Sequence, residues 1–188
     1  MIRTTVFAAA LAALAAAAAV AQERARVDAA RFDDEGRLIY PADVEEWVHL
    51  GSNLGLNYVE GDFDPASPGL FGVVTMEPTA YRVFMDTGVF PDGAMFHLSF
   101  HGVVRDEELS PGFATGPSRG TEIHLKDSEM FPDGFNFYSY RPGQASAEAA
   151  TLPNDCVDCH TEHAAHDGVF TQFYPRVAAR LAVGSVEN

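Results

Sequence analysis

Cys156-Val157-Asp158-Cys159-His160 is the most informative stretch of this sequence. In a C-x-x-C-H run, each thiol can add to one vinyl group of haem and the histidine can ligate the iron. Positions i, i+3 and i+4 share one face of a helix, so Cys156, Cys159 and His160 can meet the same porphyrin face. The chain has no other cysteine. The sequence therefore predicts one covalent haem c per chain, with His160 as the iron ligand.

Two other functions are compatible with a C-x-x-C pair. A thioredoxin-like redox site requires a βαβ context, which the flanking sequence does not show. A zinc site would use Cys156, Cys159, His163 and His166, which lie on roughly one helical face. Ligands on one short helix enclose a metal poorly, and zinc fingers usually place a longer loop between the cysteine and histidine pairs. The spacing favours haem over zinc.

The N-terminus has the pattern of an export signal. Arg3 supplies a positive charge, residues 6–18 are apolar and rich in alanine, and Ala19-Val20-Ala21 has the small-x-small pattern of a cleavage site. A membrane anchor is the alternative, but the run is short and alanine is weakly hydrophobic. We expect residues 1–21 to be a signal peptide cleaved before Gln22 and the mature protein to be periplasmic or secreted. Export agrees with covalent haem attachment, which bacteria carry out outside the cytoplasm.

The chain is acidic, with 27 Asp and Glu residues against 12 Lys and Arg residues and a formal net charge of −15. Nucleic acids and anionic membranes bind basic surfaces, so neither is an expected partner. No later run is long and apolar enough to predict a stable membrane span. Residues 22–40 carry many charges and few large apolar groups, so we expect a flexible lead-in, followed by one domain over residues 41–188.

Hydrophobic periodicity and turn residues predict strands in the middle of the chain and helices at both ends. One helix is expected from Pro41 to Gly51, and a second is opened by Pro78, spans Thr79 to Thr87 and stops at Gly88. The tetrapeptide Phe-Pro-Asp-Gly occurs at residues 90–93 and 131–134, each time before a strand, which favours an antiparallel sheet. The predicted strands span residues 70–76, 95–104, 120–126 and 135–140. The predicted fold is α+β, mainly an antiparallel sheet with flanking helices, and a C-terminal helix carries the haem motif.

Several longer stretches match a known family. They are Glu46-Trp47-Val48-His49-Leu50-Gly51-Ser52, Pro78-Thr79-Ala80-Tyr81, Thr87-Gly88, Phe90-Pro91-Asp92-Gly93, Lys126-Asp127-Ser128, and the run from Cys156 through Glu162-His163-Ala164-Ala165 to Phe170-Thr171-Gln172-Phe173-Tyr174-Pro175. Together they resemble the cytochrome P-460 family, which includes the cytochromes c′-beta. The resemblance implies a homodimer of antiparallel β domains. It also implies a five-coordinate haem c, with His160 on one face of the iron and an open site on the other.

Members of this family differ in their chemistry. Some oxidise hydroxylamine and related nitrogen oxides with a haem that is cross-linked through an extra lysine, and others bind nitric oxide or similar gases in an apolar pocket. An approximate alignment places the cross-linking position on Leu98. Lys126 is the single lysine of the sequence and belongs to a different predicted strand. The sequence therefore argues against the cross-link and against the oxidation that depends on it.

Strand alternation predicts the wall of the ligand pocket. If Leu98 faces the haem, Phe96 and Phe100 face it too, and His97 and His101 point to the other side. An apolar, aromatic wall disfavours water on the iron and leaves room for a small neutral ligand. Ordinary core packing of the two phenylalanines is the alternative explanation.

The oxidising members also use a carboxylate near the iron, and the resemblance places it on Glu122. Glu122 could relay protons, with His124 on the same face of its strand. A solvated strand face is the alternative explanation for a lone glutamate.

Three functions follow from the sequence. The favoured one is an exported cytochrome that binds nitric oxide or a similar small ligand. An oxidoreductase acting on hydroxylamine or nitric oxide is the second. The third is an electron-transfer cytochrome with a periplasmic partner, which would need a sixth iron ligand such as Met76, Met85, Met95 or Met130.

Overall fold

A five-stranded antiparallel sheet forms the centre of this computed structural model, which describes residues 24–56, 61–106, 108 and 112–184. Its strands follow one another in space in chain order, and a separate two-stranded ribbon joins β1 to β7. The strands are β1 Leu38–Ile39, β2 Val48–Leu54, β3 Phe71–Met76, β4 Met95–Val104, β5 Ala114–Lys126, β6 Phe135–Tyr140 and β7 Ser146–Ala147. The helices are α1 Pro78–Thr87, α2 Asp155–His163 and α3 Pro175–Gly184, with 3-10 turns at Val44–Glu46 and Thr171–Phe173. The predicted α+β class is confirmed.

The two longest strands set the register of the sheet. β4 pairs with β5 so that Leu98 lies opposite Glu122 and Phe96 lies opposite His124. Because side chains alternate along a strand, these four residues point to one face of the sheet. The intervening residues, such as Ile123, point to the other face and are buried there. Each face therefore has its own apolar layer.

Two apolar cores result. The first lies between the sheet and helices α1 and α3 and contains Phe84, Phe90, Phe96, Val169 and Val177. The second lies on the opposite face, where the ribbon and the 3-10 turn at 44–46 cover the sheet. Its buried members are Leu38, Val44, Trp47, Met95, Ile123, Leu125, Phe131, Tyr138, Tyr140 and Ala147. The sheet is thus covered on both faces.

Helix α1 begins and ends where the sequence predicts. Pro78 occupies its first turn, and the Glu77 carboxylate accepts hydrogen bonds from the backbone N–H groups of Thr79 and Ala80, at 2.8 and 2.6 Å. Gly88 ends the helix with φ of 78°, a left-handed conformation that favours glycine. Local capping chemistry therefore explains this element.

The helix expected from Pro41 to Gly51 is wrong. The chain forms only the 3-10 turn at 44–46 and then enters β2, which contains Gly51. A Cβ on Gly51 would lie 2.9 Å from the carbonyl oxygen of Phe173, so this glycine permits a close approach between strand and C-terminal segment. Pairing of β2 with β3 overrides the local helical pattern.

The lead-in that the sequence predicts to be flexible at residues 22–40 makes long-range contacts over its described part, residues 24–40. The Val27 N–H donates to the carbonyl of Asp92 and the Asp92 N–H donates to that of Ala25, both at 2.8 Å. Leu38 pairs with Ala147 and is fully buried. Backbone pairing and a few apolar anchors hold this charged segment. Residues 1–23, which include the predicted signal peptide and cleavage site, lie outside the described residues.

No helix in the described part of the chain has both the length and the apolar character needed to cross a membrane.

Phe84 is the best test of the first core. Its side chain is fully buried and stacks on Phe90 with ring centroids 4.1 Å apart. Phe84→Ala should lower the free energy of unfolding by about 3–5 kcal/mol, because it removes buried area and leaves a cavity. Phe63→Ala is the matched control, since Phe63 is 58% exposed, and should change stability by less than about 0.5 kcal/mol. Urea unfolding measures both, and equal losses in the two variants would contradict the assignment of the core.

Candidate haem site

Helix α2 presents the C-x-x-C-H residues as the spacing predicts. The side chain of Asn154 caps the helix by accepting a hydrogen bond from the Val157 N–H at 2.9 Å. Cys156 is exposed, Cys159 is half-buried, and His160 lies one turn after Cys156. Two accessible thiols and an imidazole therefore share one short helix, which is the arrangement that covalent haem attachment needs.

His160 is held by a backbone carbonyl. Its Nδ1 lies 2.8 Å from the carbonyl oxygen of Gly168. A carbonyl can only accept, so Nδ1 carries the proton and Nε2 keeps its lone pair. Burial lowers the pKa of His160, although the hydrogen bond to Gly168 opposes the shift, so the imidazole is neutral near pH 7. A neutral, oriented imidazole is the form that ligates iron.

Aromatic rings surround His160. Ring centroids of Phe170, Phe137 and His124 lie 4.4, 4.7 and 5.2 Å from that of His160. Gly168 turns with φ of 69°, and a Cβ there would lie 2.5 Å from the ring of Phe135. Only glycine allows the loop to come this close to the ring, so the position of the carbonyl that binds His160 depends on it.

A cavity of about 190 Å³ opens between His160 and the sheet. Phe96, Leu98 and Phe100 line it from β4, as alternation predicts, together with His160 itself. Among the described residues, its lining is Asn53, Leu56, Gly72, Val74, Phe96, Leu98, Phe100, Glu122, His124, Phe137, His160, Val169, Phe170, Phe173 and Tyr174. The structure therefore brings the predicted wall and the predicted iron ligand to one mostly apolar space, while their roles toward haem remain predictions.

The histidines of β4 lie outside this cavity lining. His97 is buried, and its Nε2 lies 3.0 Å from the hydroxyl of Tyr40. The Nε2 of His101 lies 3.0 Å from the hydroxyl of Ser99. Both imidazoles thus have polar partners away from the cavity, in agreement with the predicted alternation.

Glu122 also borders the cavity. Its carboxylate is partly buried and accepts a hydrogen bond of 3.4 Å from the Ser139 hydroxyl. Burial raises the pKa of Glu122, which the hydrogen bond from Ser139 only partly offsets. Glu122 is therefore not a fully solvated carboxylate, because its environment favours the protonated form more than water does.

His124 is the most buried polar residue among those that line the cavity. It is 6% exposed, and its Nε2 is buried and has no hydrogen-bond partner among the described residues. Burial holds the pKa of His124 well below its ordinary value, with smaller contributions from His160 and Lys126. Buried polar atoms normally have a hydrogen-bond partner, and a bound group is one way to supply it. The buried, neutral imidazole of His124 beside His160 therefore fits a site that a polar or coordinating group completes.

Lys126 does not line the cavity. It lies on β5, whereas Leu98 lies on β4, as the sequence predicts. Its Nζ lies 2.7 Å from the carbonyl oxygen of Asp167 and 3.2 Å from the Asp167 carboxylate. Lys126 therefore forms an ion pair with Asp167 outside the cavity lining. The position expected for a cross-linking lysine is Leu98, which lines the cavity.

The four methionines considered as sixth ligands lie away from the cavity. Met76 is buried in the first core and Met95 in the second, Met85 packs against the first, and Met130 is about half exposed. Within the described residues, no methionine lines the space in front of His160. The structure thus gives no support to a methionine as the sixth ligand of an electron carrier.

The zinc alternative receives no support from side-chain positions. In the described ranges, no three His, Cys, Asp or Glu side chains are grouped so that they could hold a metal ion. His163 is 40% exposed and lies 3.8 Å from the Glu162 carboxylate.

Sequence reasoning missed several residues of the site. Phe137 and Phe170 pack on the His160 ring, and the Gly168 carbonyl orients it. The signals available were weak. Phe137 alternates with Phe135 along a predicted strand, but nothing local in the sequence indicates which carbonyl a histidine will contact.

Glu122 generates a prediction about pH. The pKa of Glu122 is raised in the folded state. The resulting contribution to stability is complete below the pKa of an unfolded glutamate, about 4.3. It is lost as the pH rises through the pKa of the folded state. Glu122→Gln removes this loss. Its free energy of unfolding should therefore rise relative to the native protein between pH 4 and pH 7. Urea unfolding across this range measures the difference, and a constant difference would contradict a buried, cavity-facing carboxylate.

Comparison with known proteins identifies the family. The family model described as Cytochrome P460 matches residues 41–171, well over half of the chain. The matched range contains the five-stranded sheet, the part of the cavity wall that β4 and β5 supply, and helix α2. No curated protein matches the chain. The match confirms the resemblance seen in the sequence and implies a haem cofactor. The chain therefore belongs to the cytochrome P460 family of haem cytochromes.

Proposed function

We propose that this protein is an exported cytochrome with one haem c whose iron binds nitric oxide or a similar small neutral ligand. Cys156 and Cys159 hold the haem covalently, and His160 is the single protein ligand of the iron. The observation that carries the proposal is the mostly apolar cavity bordered by a neutral, oriented imidazole. The haem supplies the iron on which the ligand is held.

The residues of the cavity select the ligand. Phe96, Leu98 and Phe100 offer no hydrogen bond to water or to a charged group, so this part of the wall does not replace the solvation that an anion loses on entering. A small neutral diatomic molecule loses little on entering such a space. The fixed Nδ1 contact keeps the His160 ring in one orientation and leaves Nε2 as the ligating atom.

Export and assembly belong to the same proposal. The N-terminal pattern in residues 1–21 and the site of bacterial haem attachment both support a periplasmic or secreted protein. The family resemblance supports a homodimer. A periplasmic electron-transfer partner would return the iron to the ferrous state after oxidation.

Spectroscopy tests the proposal. The purified holoprotein should show a high-spin iron in both oxidation states, and its Soret band should shift on addition of nitric oxide. His160→Ala should abolish the native ferrous spectrum because it removes the iron ligand, whereas His163→Ala, an exposed histidine of the same helix, should leave it unchanged. A low-spin iron that does not respond to the gas would contradict the proposal and favour the electron carrier.

An oxidoreductase is the second candidate, and two side chains favour it. Glu122 and His124 both border the cavity, and a carboxylate whose pKa is raised by burial can take up and release protons at a higher pH than an exposed glutamate. Leu98 at the expected cross-linking position counts against oxidation of hydroxylamine. Proton transfer at Glu122 would instead be the step that this chain supplies.

Turnover separates the two candidates. With hydroxylamine and an electron acceptor present, we expect no product above that formed by the His160→Ala variant. If the native protein does turn over, Glu122→Gln should slow it by roughly 10²-fold or more, the usual loss when a general acid or base is removed. Turnover that falls in this way would move the oxidoreductase ahead of ligand binding.

A further inference from the structure

The single lysine of the chain is buried in the fold. Lys126 is 1% exposed, and its Nζ lies 5.4 Å from the centre of the Phe135 ring. A buried ammonium group is costly unless an anion and hydrogen-bond acceptors surround it. The residues that compensate the Lys126 ammonium group therefore indicate its role.

Asp167 provides both kinds of partner. Its carbonyl oxygen accepts a hydrogen bond from Lys126 Nζ at 2.7 Å, and its carboxylate lies 3.2 Å from the same nitrogen. Arg24 binds the carboxylate from the other side at 2.7 Å. Asp167 has φ of 51°, a left-handed conformation that non-glycine residues adopt when neighbouring contacts hold them. Two cations thus fix an unfavourable turn.

The next residue of this turn holds the iron ligand. Gly168 accepts the hydrogen bond from His160 Nδ1 through its carbonyl. Lys126 fixes the carbonyl of the residue immediately before it. The contacts therefore run without interruption from the Lys126 ammonium through Asp167 and Gly168 to the imidazole.

The neighbours of Lys126 in the sequence have other uses. Asp127 binds Arg26 at 2.7 Å, and the hydroxyl of Ser128 donates to the Asp92 carboxylate at 2.8 Å. These contacts join the turn after β5 to the N-terminal segment and to the turn before β4. Of the three residues Lys126-Asp127-Ser128, the lysine alone contacts Asp167 among the contacts described here.

We propose that Lys126 and Asp167 form a positioning pair that sets the orientation and the electrostatic environment of His160. The inference rests on the proposed function, because it takes His160 to be the iron ligand. The pair acts through the Gly168 carbonyl and through the field of its two charges.

The two charges have opposite effects on the iron. A nearby cation favours the ferrous state because it disfavours the additional positive charge of ferric iron, and an anion does the reverse. Loss of the lysine charge should therefore lower the reduction potential, and loss of the aspartate charge should raise it. A residue with a merely structural role would not give shifts of opposite sign.

Four variants of the holoprotein test the pair. Lys126→Met should lower the midpoint potential, Asp167→Asn should raise it, and Lys126→Arg should restore it toward the native value. Arg141→Met removes one cation from an exposed position and is the matched control, which should leave the potential unchanged. Spectroelectrochemistry measures the potentials, and resonance Raman of the ferrous protein measures the iron–histidine stretch, which should shift in Lys126→Met.

Shifts of the same sign in Lys126→Met and Asp167→Asn, or native potential and stretch in both, would overturn the inference. If Lys126→Met does not fold, a raised potential in Asp167→Asn together with a near-native potential in Lys126→Arg still supports the pair, and a lowered or native potential in Asp167→Asn overturns it. Failure of the proposed function is a separate result, because an unchanged ferrous spectrum in His160→Ala shows that His160 is not the ligand. A native potential in the pair variants together with loss of the spectrum in His160→Ala would reject the pair alone.

Discussion

The hydrogen bond from His160 Nδ1 to the Gly168 carbonyl is the contact on which the site depends. It settles the tautomer of the imidazole, so that Nε2 keeps the lone pair that a metal needs. It also joins helix α2 to the loop that follows it, and that loop is fixed in turn by Lys126 and Arg24 through Asp167. The orientation of one side chain on a nine-residue helix therefore depends on residues from the N-terminal segment and from β5.

The sheet supplies the other half of the site. Because β4 and β5 are paired in register, the cavity wall combines Phe96, Leu98 and Phe100 with Glu122 and His124. The apolar members of this wall discourage water and charged ligands, and the two titratable members give it proton-transfer chemistry in a partly desolvated setting. The two proposed functions assign different roles to these five side chains. The second core covers the opposite face of the sheet beneath them.

Local signals predicted much of this fold. The strands at 95–104 and 135–140 have the predicted bounds because turn residues and alternating side chains mark them, and α1 follows from its proline and glycine. The spacing of Cys156, Cys159 and His160 placed them on one helix correctly. Long-range contacts explain what local patterns did not indicate. Gly51 suggested a helix end but permits the C-terminal segment to pack on β2, and the charged lead-in is held by pairing with Asp92. The carbonyl of Gly168 and the burial of Lys126 have no local pattern, because the partners that explain them lie 8 and 41 residues away in sequence.

A crystal structure of the reduced, haem-loaded protein before and after nitric oxide exposure is the most direct test of this account. It should show thioether bonds to Cys156 and Cys159, the His160 Nε2 on the iron, and Nδ1 still bound to the Gly168 carbonyl. The opposite face of the iron should lack a protein ligand and should take nitric oxide on the side of Phe96 and Leu98. Coordination of that face by His124 or another side chain, or an iron ligand other than His160, would contradict the account.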